Sequence, residues 1–313
     1  MIRVFGYIVP ILLVATCCFG CGGGAKSHSS KSRPKEYRFL YVQPPMQATD
    51  EQQQAFMQEH FWDRFDFSDS LYTVKADTTE MLQAYASYVA NFVGPLNQAP
   101  IRRLMAKAST SKSMFDYFVM LSEKILHDAN SPLRSDELYI AVLEAQIASP
   151  YYDKYERMAP EYDLRIASQN RIGRPANDFE YRLASGREGS LYGVKSDFTI
   201  LYINNPGCSM CRDITNALIA SPIISDMEQQ GRLKVVAIYP DRDIPEWRAH
   251  LGDYPSKWIN GYDHNHAIES KSLYDLKAIP ALYLLDSEKR VLVKDSTDVG
   301  ELEYAITQSL KQN

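Results

Sequence analysis

Cys208 and Cys211 are the residues of this sequence whose type and spacing could carry out chemistry by themselves. They form a Cys-Ser-Met-Cys motif directly after a strand-like apolar run at residues 198–203 and directly before a helical pattern that begins at Arg212. A Cys-x-x-Cys pair at the N-terminal end of a helix places both sulfurs within bonding reach on one turn, and the positive end of the helix stabilises the thiolate of the first. The spacing therefore predicts thiol-disulfide redox chemistry.

The other three cysteines, Cys17, Cys18 and Cys21, lie in the N-terminal segment. The mature chain therefore has one isolated pair and no disulfide framework. Residues 1–21 are predicted to be an export signal, because a single charge at Arg3 precedes an apolar run that is too short for a spanning helix. A simple cleaved signal and an uncleaved anchor are the alternatives.

The end of this segment, Gly20 before Cys21, resembles a bacterial lipoprotein signal. That resemblance implies lipidation at Cys21, with Cys17 as the competing position. Residues 22–36 are a polar tether without any core-forming residue. We therefore expect a protein of the bacterial cell envelope, attached to the membrane through a lipid anchor, with a periplasmic folded part.

The composition is that of a globular protein. The 313 residues are 45% hydrophobic, 12% aromatic and 23% charged, which is enough to build a substantial core in two domains. The net charge is -5 and no run of Lys and Arg is sustained, so nucleic acid is excluded as the main partner.

Residues 37–170 have apolar residues at helical spacing and are predicted to form an all-α bundle of five or six helices. Thr49 and Asp77 are expected to cap helices, with Gln52 and Glu80 three residues later. Aromatic residues are frequent here, and they could form the core or line a groove for a ligand. The core is the preferred interpretation for this set: His60, Phe61, Trp62, Phe65, Phe67, Tyr85 and Tyr88.

Residues 171–313 change to a pattern of strands and short helices. Strands are expected at 179–183, 198–203, 233–239, 281–285 and 290–294, and helices at 212–220, 244–251 and 300–310. A turn is expected at 185–189, with residues 190–194 opening the next element. The run at 198–203 has the length and composition of a buried central strand.

This order, with the Cys-x-x-Cys motif early and Ala278-Ile279-Pro280-Ala281 late, resembles the thioredoxin fold. The opening Gly173-Arg174-Pro175-Ala176-Asn177-Asp178-Phe179 is similar to the start of TlpA-type thiol-disulfide oxidoreductases and their redoxin relatives. The whole chain resembles bacterial lipoproteins in which a helical domain of unknown function precedes such a module. The resemblance implies a two-domain α+β chain, with an all-α bundle followed by a thioredoxin-like α/β domain.

The resemblance also implies roles for individual residues. Cys208 takes the position of the attacking thiol, Cys211 that of the resolving thiol, and Pro280 that of the cis-proline that faces the disulfide. The backbone of Ile279 is then able to pair with a substrate peptide. The implied activity is exchange with protein thiols and disulfides, supported by a membrane or periplasmic electron donor, without a cofactor or metal.

Several positions depart from the family pattern. The tryptophan that usually precedes the first cysteine is replaced by the stretch 204–207, and Ser209-Met210 is neither Gly-Pro nor Pro-Pro. The strand at 198–203 contains no carboxylate to serve as a buried proton relay. Substrate choice and redox direction are therefore not fixed by the motif.

Three alternatives stay open. A peroxiredoxin-like peroxidase would need a threonine where Asn205 stands. A metal carrier could combine the thiols with His264 or His266, although no further ligand follows at a characteristic spacing. A non-catalytic envelope binding lipoprotein would use the pair only as a structural disulfide, but such a small loop stabilises little.

Overall fold

The computed structural model describes residues 35–276 and 278–312, with the side chain of residue 312 excepted. The predicted signal, nearly all of the tether, and the lipidation position at Cys21 lie outside the described residues. Tyr37 and the residues after it form one compact unit. No helix within the described ranges is both long and apolar enough to cross a membrane.

The first half of the described chain is helical. Its seven α-helices are α1 (Asp50–His60), α2 (Tyr72–Lys75), α3 (Thr78–Phe92), α4 (Ala99–Ala108), α5 (Lys112–Ser122), α6 (Asp136–Ala148) and α7 (Met158–Ala167). A π-helical turn, Glu123–His127, continues α5. The expected number of five or six is therefore too low, partly because α2 is a single turn that gives almost no periodic signal.

Side-chain caps fix the starts of α1 and α3. The Thr49 hydroxyl accepts from the Gln52 backbone N–H at 3.3 Å, and the Gln52 side chain accepts from the Thr49 N–H at 3.0 Å, which completes a capping box. The Asp77 carboxylate accepts from the N–H groups of Thr79 and Glu80. Both predicted helix starts are confirmed.

The aromatic cluster forms the core of this helical region. Phe61, Trp62 and Tyr85 are buried, and the Trp62 ring lies 5.3 Å from both the Phe61 and the Phe118 ring centroids. Several of the ring pairs meet edge to face, which is the favourable arrangement of aromatic quadrupoles. Phe61, Trp62, Phe65, Tyr85 and Tyr88 are buried in this core, which confirms the preferred interpretation for them. Phe67 is only partly buried, and the His60 side chain is 41% exposed.

The second half contains the sheet and five further helices. Its elements are β1 (Glu180–Leu183), β2 (Glu188–Ser190), β3 (Phe198–Ile203), α8 (Ser209–Ala220), α9 (Pro222–Gln229), β4 (Leu233–Tyr239), α10 (Ile244–Ala249), β5 (Ile259–Tyr262), α11 (Ala267–Ser270), β6 (Ala281–Leu285), β7 (Val291–Ser296) and α12 (Val299–Gln312). A short 3-10 turn, Leu251–Asp253, follows α10.

The seven strands form one mixed sheet in the order β2-β1-β5-β4-β3-β6-β7. β3 pairs in parallel with β4 and antiparallel with β6, and every residue of β3 is buried. Ile200 and Tyr202 face the layer that contains α8, α9 and α12, whereas Leu201 and Ile203 face the opposite layer. The continuous apolar sequence of β3 follows from this burial on both faces.

The helical region and the sheet meet at a seam of buried ion pairs. An Arg134 Nη2 atom lies 2.7 Å from Asp295 Oδ2, and Lys294 Nζ lies 2.9 Å from Asp136 Oδ2. Lys294 also donates to the carbonyl oxygens of Ala167 and residue 169 at 2.7 Å. Side chains of β7 thereby hold the ends of α6 and α7 against the sheet.

Some predicted boundaries in this half are wrong. α8 begins at Ser209, three residues before the predicted start, because Cys208 itself is the capping residue. Glu188 and Gly189 pair in β2, although they were expected in a turn, and the element predicted to open at Ser190 instead ends there. No prediction covered α9, β5 or α11.

Candidate thiol-disulfide site

Cys208 lies where the central strand passes into α8. After β3 ends at Ile203, the chain turns through Gly207, whose φ of 73° is in the left-handed region that glycine adopts without strain. Cys208 is the N-cap of α8, and its Sγ accepts a hydrogen bond from the Cys211 backbone N–H at 3.2 Å. The thiol is half-buried. The Cys208 sulfur therefore lies at the positive end of the helix with a backbone N–H donor on it.

Cys211 is one turn further along α8 and is only 2% exposed. The pKa of its thiol is raised to about 12, mainly by burial and also by the neighbouring Cys208 sulfur, against the lowering effect of the Asn205 backbone N–H and the Tyr202 side chain. Both thiols are free in this structure. The two sulfurs therefore differ in access and in surroundings, although the sequence presents them as a symmetric pair.

Two tyrosines lie beside the pair. The Tyr202 hydroxyl donates to the Cys211 carbonyl oxygen at 2.6 Å and lies 3.2 Å from Thr215 Oγ1. The Tyr254 hydroxyl donates to Asn204 Oδ1 at 2.6 Å. Burial raises the pKa of both phenols above the usual range, so both stay protonated at neutral pH.

Sequence reasoning did not identify these two tyrosines. Because successive side chains of a strand point to opposite faces, Tyr202 lies on the same face of β3 as Ile200, beneath the helix that follows. This alternation was a sufficient sequence signal for identifying Tyr202. Tyr254 offered no comparable signal, because its position depends on how the segment between α10 and β5 folds back toward the loop after β3.

Pro280 is buried at the same edge of the sheet as the cysteines. The peptide bond between Ile279 and Pro280 is cis. The next residue, Ala281, begins β6 and pairs with Ile203, the last residue of β3. Pro280 thus lies at the start of the strand that pairs with the end of β3, from which the chain continues to Cys208 and Cys211, as the thioredoxin pattern implies. Their catalytic roles remain predictions.

A cavity of about 260 Å³ opens beside both cysteines, with Arg212, His250 and Tyr254 among its lining residues. The His250 imidazole is held between two carboxylates, with Nδ1 at 2.7 Å from Asp253 Oδ2 and Nε2 at 3.1 Å from Glu246 Oε1. The hydrogen bond to Asp253 raises the pKa of His250. The entrance to the thiols is therefore polar, in contrast to the apolar interior under α8.

His264 and His266, the histidines considered for metal binding, lie in the segment that leads into α11. Asp263 is fully buried and accepts from the N–H groups of Ala267 and Ile268, so this segment caps α11. His264 Nε2 lies 3.6 Å from Glu188 Oε1 on the neighbouring hairpin. Across residues 35–276 and 278–312, no group of three or more His, Cys, Asp or Glu side chains could hold a metal ion. The metal-carrier alternative gains no support.

Two family models match the chain. Residues 21–170 match a domain of unknown function, DUF5106, and residues 196–291 match a thioredoxin-like family. A comparison with curated proteins finds no significant match.

Solved structures provide similar proteins from Bacteroides. A thioredoxin-like protein from Bacteroides caccae is 42% identical, with a TM-score of 0.80 over 86% of this chain and 98% of its own. The C-terminal domain of an uncharacterized protein from Bacteroides fragilis is 45% identical, with a TM-score of 0.43 over 44% of this chain and 98% of its own. The thioredoxin domain of a thiol-disulfide oxidoreductase from Bacteroides vulgatus is 18% identical, with a TM-score of 0.40 over 44% of this chain and 97% of its own.

The similarity to the Bacteroides caccae protein extends over nearly all of that protein, and therefore over both the helical region and the sheet. Together with the two family models, it shows that this chain belongs to the thioredoxin-like proteins, with a DUF5106 domain preceding its thioredoxin-like domain.

Proposed function

We propose that this protein is a thiol-disulfide oxidoreductase that acts on protein thiols and disulfides through Cys208 and Cys211. The observation that carries the proposal is the difference between the two thiols. One is half-buried at a helix N-terminus with an N–H donor on its sulfur, and the other is buried with a raised pKa. A structural disulfide needs no such difference, whereas a nucleophile and a resolving thiol do.

In the reducing direction, the Cys208 thiolate attacks one sulfur of a substrate disulfide. The substrate S–S bond breaks, a new S–S bond forms to Cys208, and the other substrate sulfur leaves as a thiolate that takes up a proton. Cys211 then loses its proton and attacks the Cys208 sulfur, which releases the second substrate thiol. Two electrons have moved to the substrate, and the protein holds a Cys208–Cys211 disulfide.

The reverse sequence would oxidise a substrate dithiol, so either direction uses the same groups. For the reducing direction, we propose that a membrane or periplasmic electron donor returns the pair to its dithiol form. We also propose that the Ile279 backbone pairs with an extended substrate peptide, because β6 starts directly after Pro280 and its first residue, Ala281, pairs with the last residue of β3.

We also propose that the protein is exported and lipid-anchored at Cys21 in the cell envelope. The apolar run before Gly20-Cys21 supports this proposal, as does the polar tether that follows. Metabolic labelling with a fatty acid should mark the wild-type protein, and Cys21→Ser should abolish the label. Label retained in that variant would move the lipid to Cys17 or Cys18, and an unlabelled wild type would contradict lipidation.

Trapping of mixed disulfides tests the oxidoreductase proposal. In Cys211→Ser the resolving thiolate is missing, so substrate proteins should accumulate on Cys208 as adducts that dithiothreitol releases. Cys208→Ser should trap far less, and the variant with both substitutions is the background control. The purified wild type should also reduce insulin or oxidise a reduced peptide. If no variant captures an adduct and the wild type does neither, the non-catalytic binding lipoprotein becomes the better explanation.

A further inference from the structure

The two long sides of α8 face different cavities. Cys211, Arg212 and Thr215 follow one side of the helix and line the cavity beside the thiols. Met210, Asp213, Ala217 and Ala220 follow the adjacent side, at the three- and four-residue spacing of a helix face. They line a second, open groove of about 600 Å³ between α8 and the start of α12.

The floor of this groove is apolar and begins at the redox motif. Met210 lies between the two cysteines in the sequence, and it is 54% exposed, so its thioether is open to contact from a binding partner. Ala217 and Val299 continue the apolar lining away from the motif. A methionine side chain is flexible and polarisable, and it adapts to different apolar partners. The groove is therefore suited to an apolar side chain close to the reactive sulfur.

The rim of the groove is acidic. Asp213, Asp298 and Glu303 line it, and none of its described lining residues is a lysine, arginine or histidine. The Gly300 N–H donates to Asp298 Oδ1 at 2.8 Å, and the Ser221 hydroxyl donates to Glu303 Oε1 at 2.5 Å. These bonds fix two of the carboxylates at the rim without neutralising their charge. A positively charged group on a binding partner would find complementary charge here.

The dimensions fit an extended polypeptide. From Met210 to Ala220 the helix rises about 15 Å, at about 1.5 Å per residue. An extended chain covers that distance with about four or five residues. Met210, at one end of the groove, is two residues from Cys208 in the sequence, so residues that flank a cysteine bonded to Cys208 come within reach of the groove.

We propose that this groove binds the substrate polypeptide beside its reactive cysteine and selects segments that carry an apolar residue together with lysine or arginine. This inference rests on the proposed oxidoreductase function and names its substrate class. Met210 supplies the apolar contact, and Asp213 and Asp298 supply the charge selection.

Two matched disulfide peptides test the proposal. One carries leucine and lysine on both sides of its cysteine, and the other carries leucine and glutamate. The wild type should reduce the lysine peptide about tenfold faster at low salt, and the preference should shrink as salt screens the rim. In D213N/D298N the ratio should fall several-fold toward unity, while asparagine keeps the capping oxygen at position 298. Glu180→Lys, an exposed charge change on β1, is the matched control and should leave the ratio unchanged.

The outcomes separate the two proposals. Equal rates for both peptides in the wild type, or the same ratio in D213N/D298N, would overturn the groove assignment and leave the oxidoreductase standing. Failure both to reduce insulin and the disulfide peptides and to oxidise the reduced peptides would instead overturn the oxidoreductase. In that case the anisotropy of labelled peptides, with serine in place of cysteine, on the Cys208→Ser variant still tests the groove. Equal affinities for the lysine and glutamate peptides would exclude it.

Discussion

The Cys208 and Cys211 thiols lie three residues apart and yet have opposite surroundings. The Cys208 sulfur accepts a backbone N–H because the residue occupies the N-cap, and Cys211 is shielded from solvent because the same helix packs over β3. The motif and its place before a helix were enough to predict the first of these effects. The second depends on the packing of α8 against the sheet, and the sequence carries only indirect information on that packing.

Iodoacetamide labelling of the reduced protein should therefore modify Cys208 first. Because the Cys211 pKa is raised to about 12, its thiolate fraction at pH 8 is on the order of 10⁻⁴, and burial restricts access as well. The labelled positions are measured by peptide mass mapping between pH 7 and pH 10. In urea-unfolded protein the two cysteines should react at similar rates. Preferential labelling of Cys211 in the folded protein would reverse the assigned roles.

At the scale of single elements, the continuous apolar strands were the best predicted. The predicted bounds of β3, β4 and β6 coincide with the observed ones, because strands buried on both faces require unbroken apolar runs. β5 has the sequence Ile-Asn-Gly-Tyr and becomes a strand through its pairing with β4 and β1. α11 is a single turn. Elements of that kind depend on tertiary contacts and leave almost no periodic signal.

The sequence at the start of α9 has the residues of a helix start, although no helix is predicted there. Ser221 is both the residue that ends α8 and the N-cap of α9, and its hydroxyl accepts from the Ile224 N–H at 3.1 Å. Pro222 occupies the first position of the new helix, which is a common helix start. At the candidate site, the two cysteines and Pro280 could be predicted from motifs. The supporting residues Tyr254 and His250 could not, because they arrive from a distant segment.

α8 is the element that positions both sulfurs, and its attachment to the sheet can be tested by two adjacent residues. Leu218 is fully buried in the cluster with Ile200 and Tyr202, whereas Ile219 is 48% exposed on the same helix. Leu218→Ala should lower the free energy of unfolding by about 2–5 kcal/mol, because it leaves a cavity beneath α8. Ile219→Ala should change it by less than about 1 kcal/mol.

Urea unfolding followed by circular dichroism measures both changes. In the Leu218→Ala protein, α8 should pack less tightly against the sheet. Cys211 should then be more accessible to iodoacetamide, because this packing is what buries its thiol. Similar losses of stability in the two variants would show that α8 is not anchored through its buried face.

At the scale of the whole molecule, the helical region and the sheet share a buried charge cluster. Arg134 and Asp295 lie 161 positions apart in the chain and still pair at 2.7 Å. Local patterns contain no information on such a contact, so the sequence predicted two regions but not the seam that joins them. The division at residue 170 remains a prediction, and the observed helices and strands leave the segment between Ala167 and Glu180 as the connection.

Asp295 makes this seam sensitive to pH. Burial raises the pKa of its carboxyl to about 7, and the nearby carboxylates of Asp136 and Asp275 raise it too, against the lowering effect of Arg134 and Lys294. The folded-state pKa thus lies above the unfolded value of about 4, so folding takes up a proton between these two values. The contribution of Asp295 to stability is fully present below pH 4 and is lost as the pH rises through 7.

Asp295→Asn should remove this dependence, because the amide does not ionise. Relative to the wild type, the variant should gain stability as the pH rises from 5 to 8, with a slope of at most about 1.4 kcal/mol per pH unit. Urea unfolding at unit pH steps gives the slope, and Asp226→Asn on the exposed side of α9 is the control. Parallel stability curves for the wild type and Asp295→Asn between pH 5 and 7 would show that Asp295 is already ionised in the folded protein and that the Arg134 charge outweighs its burial.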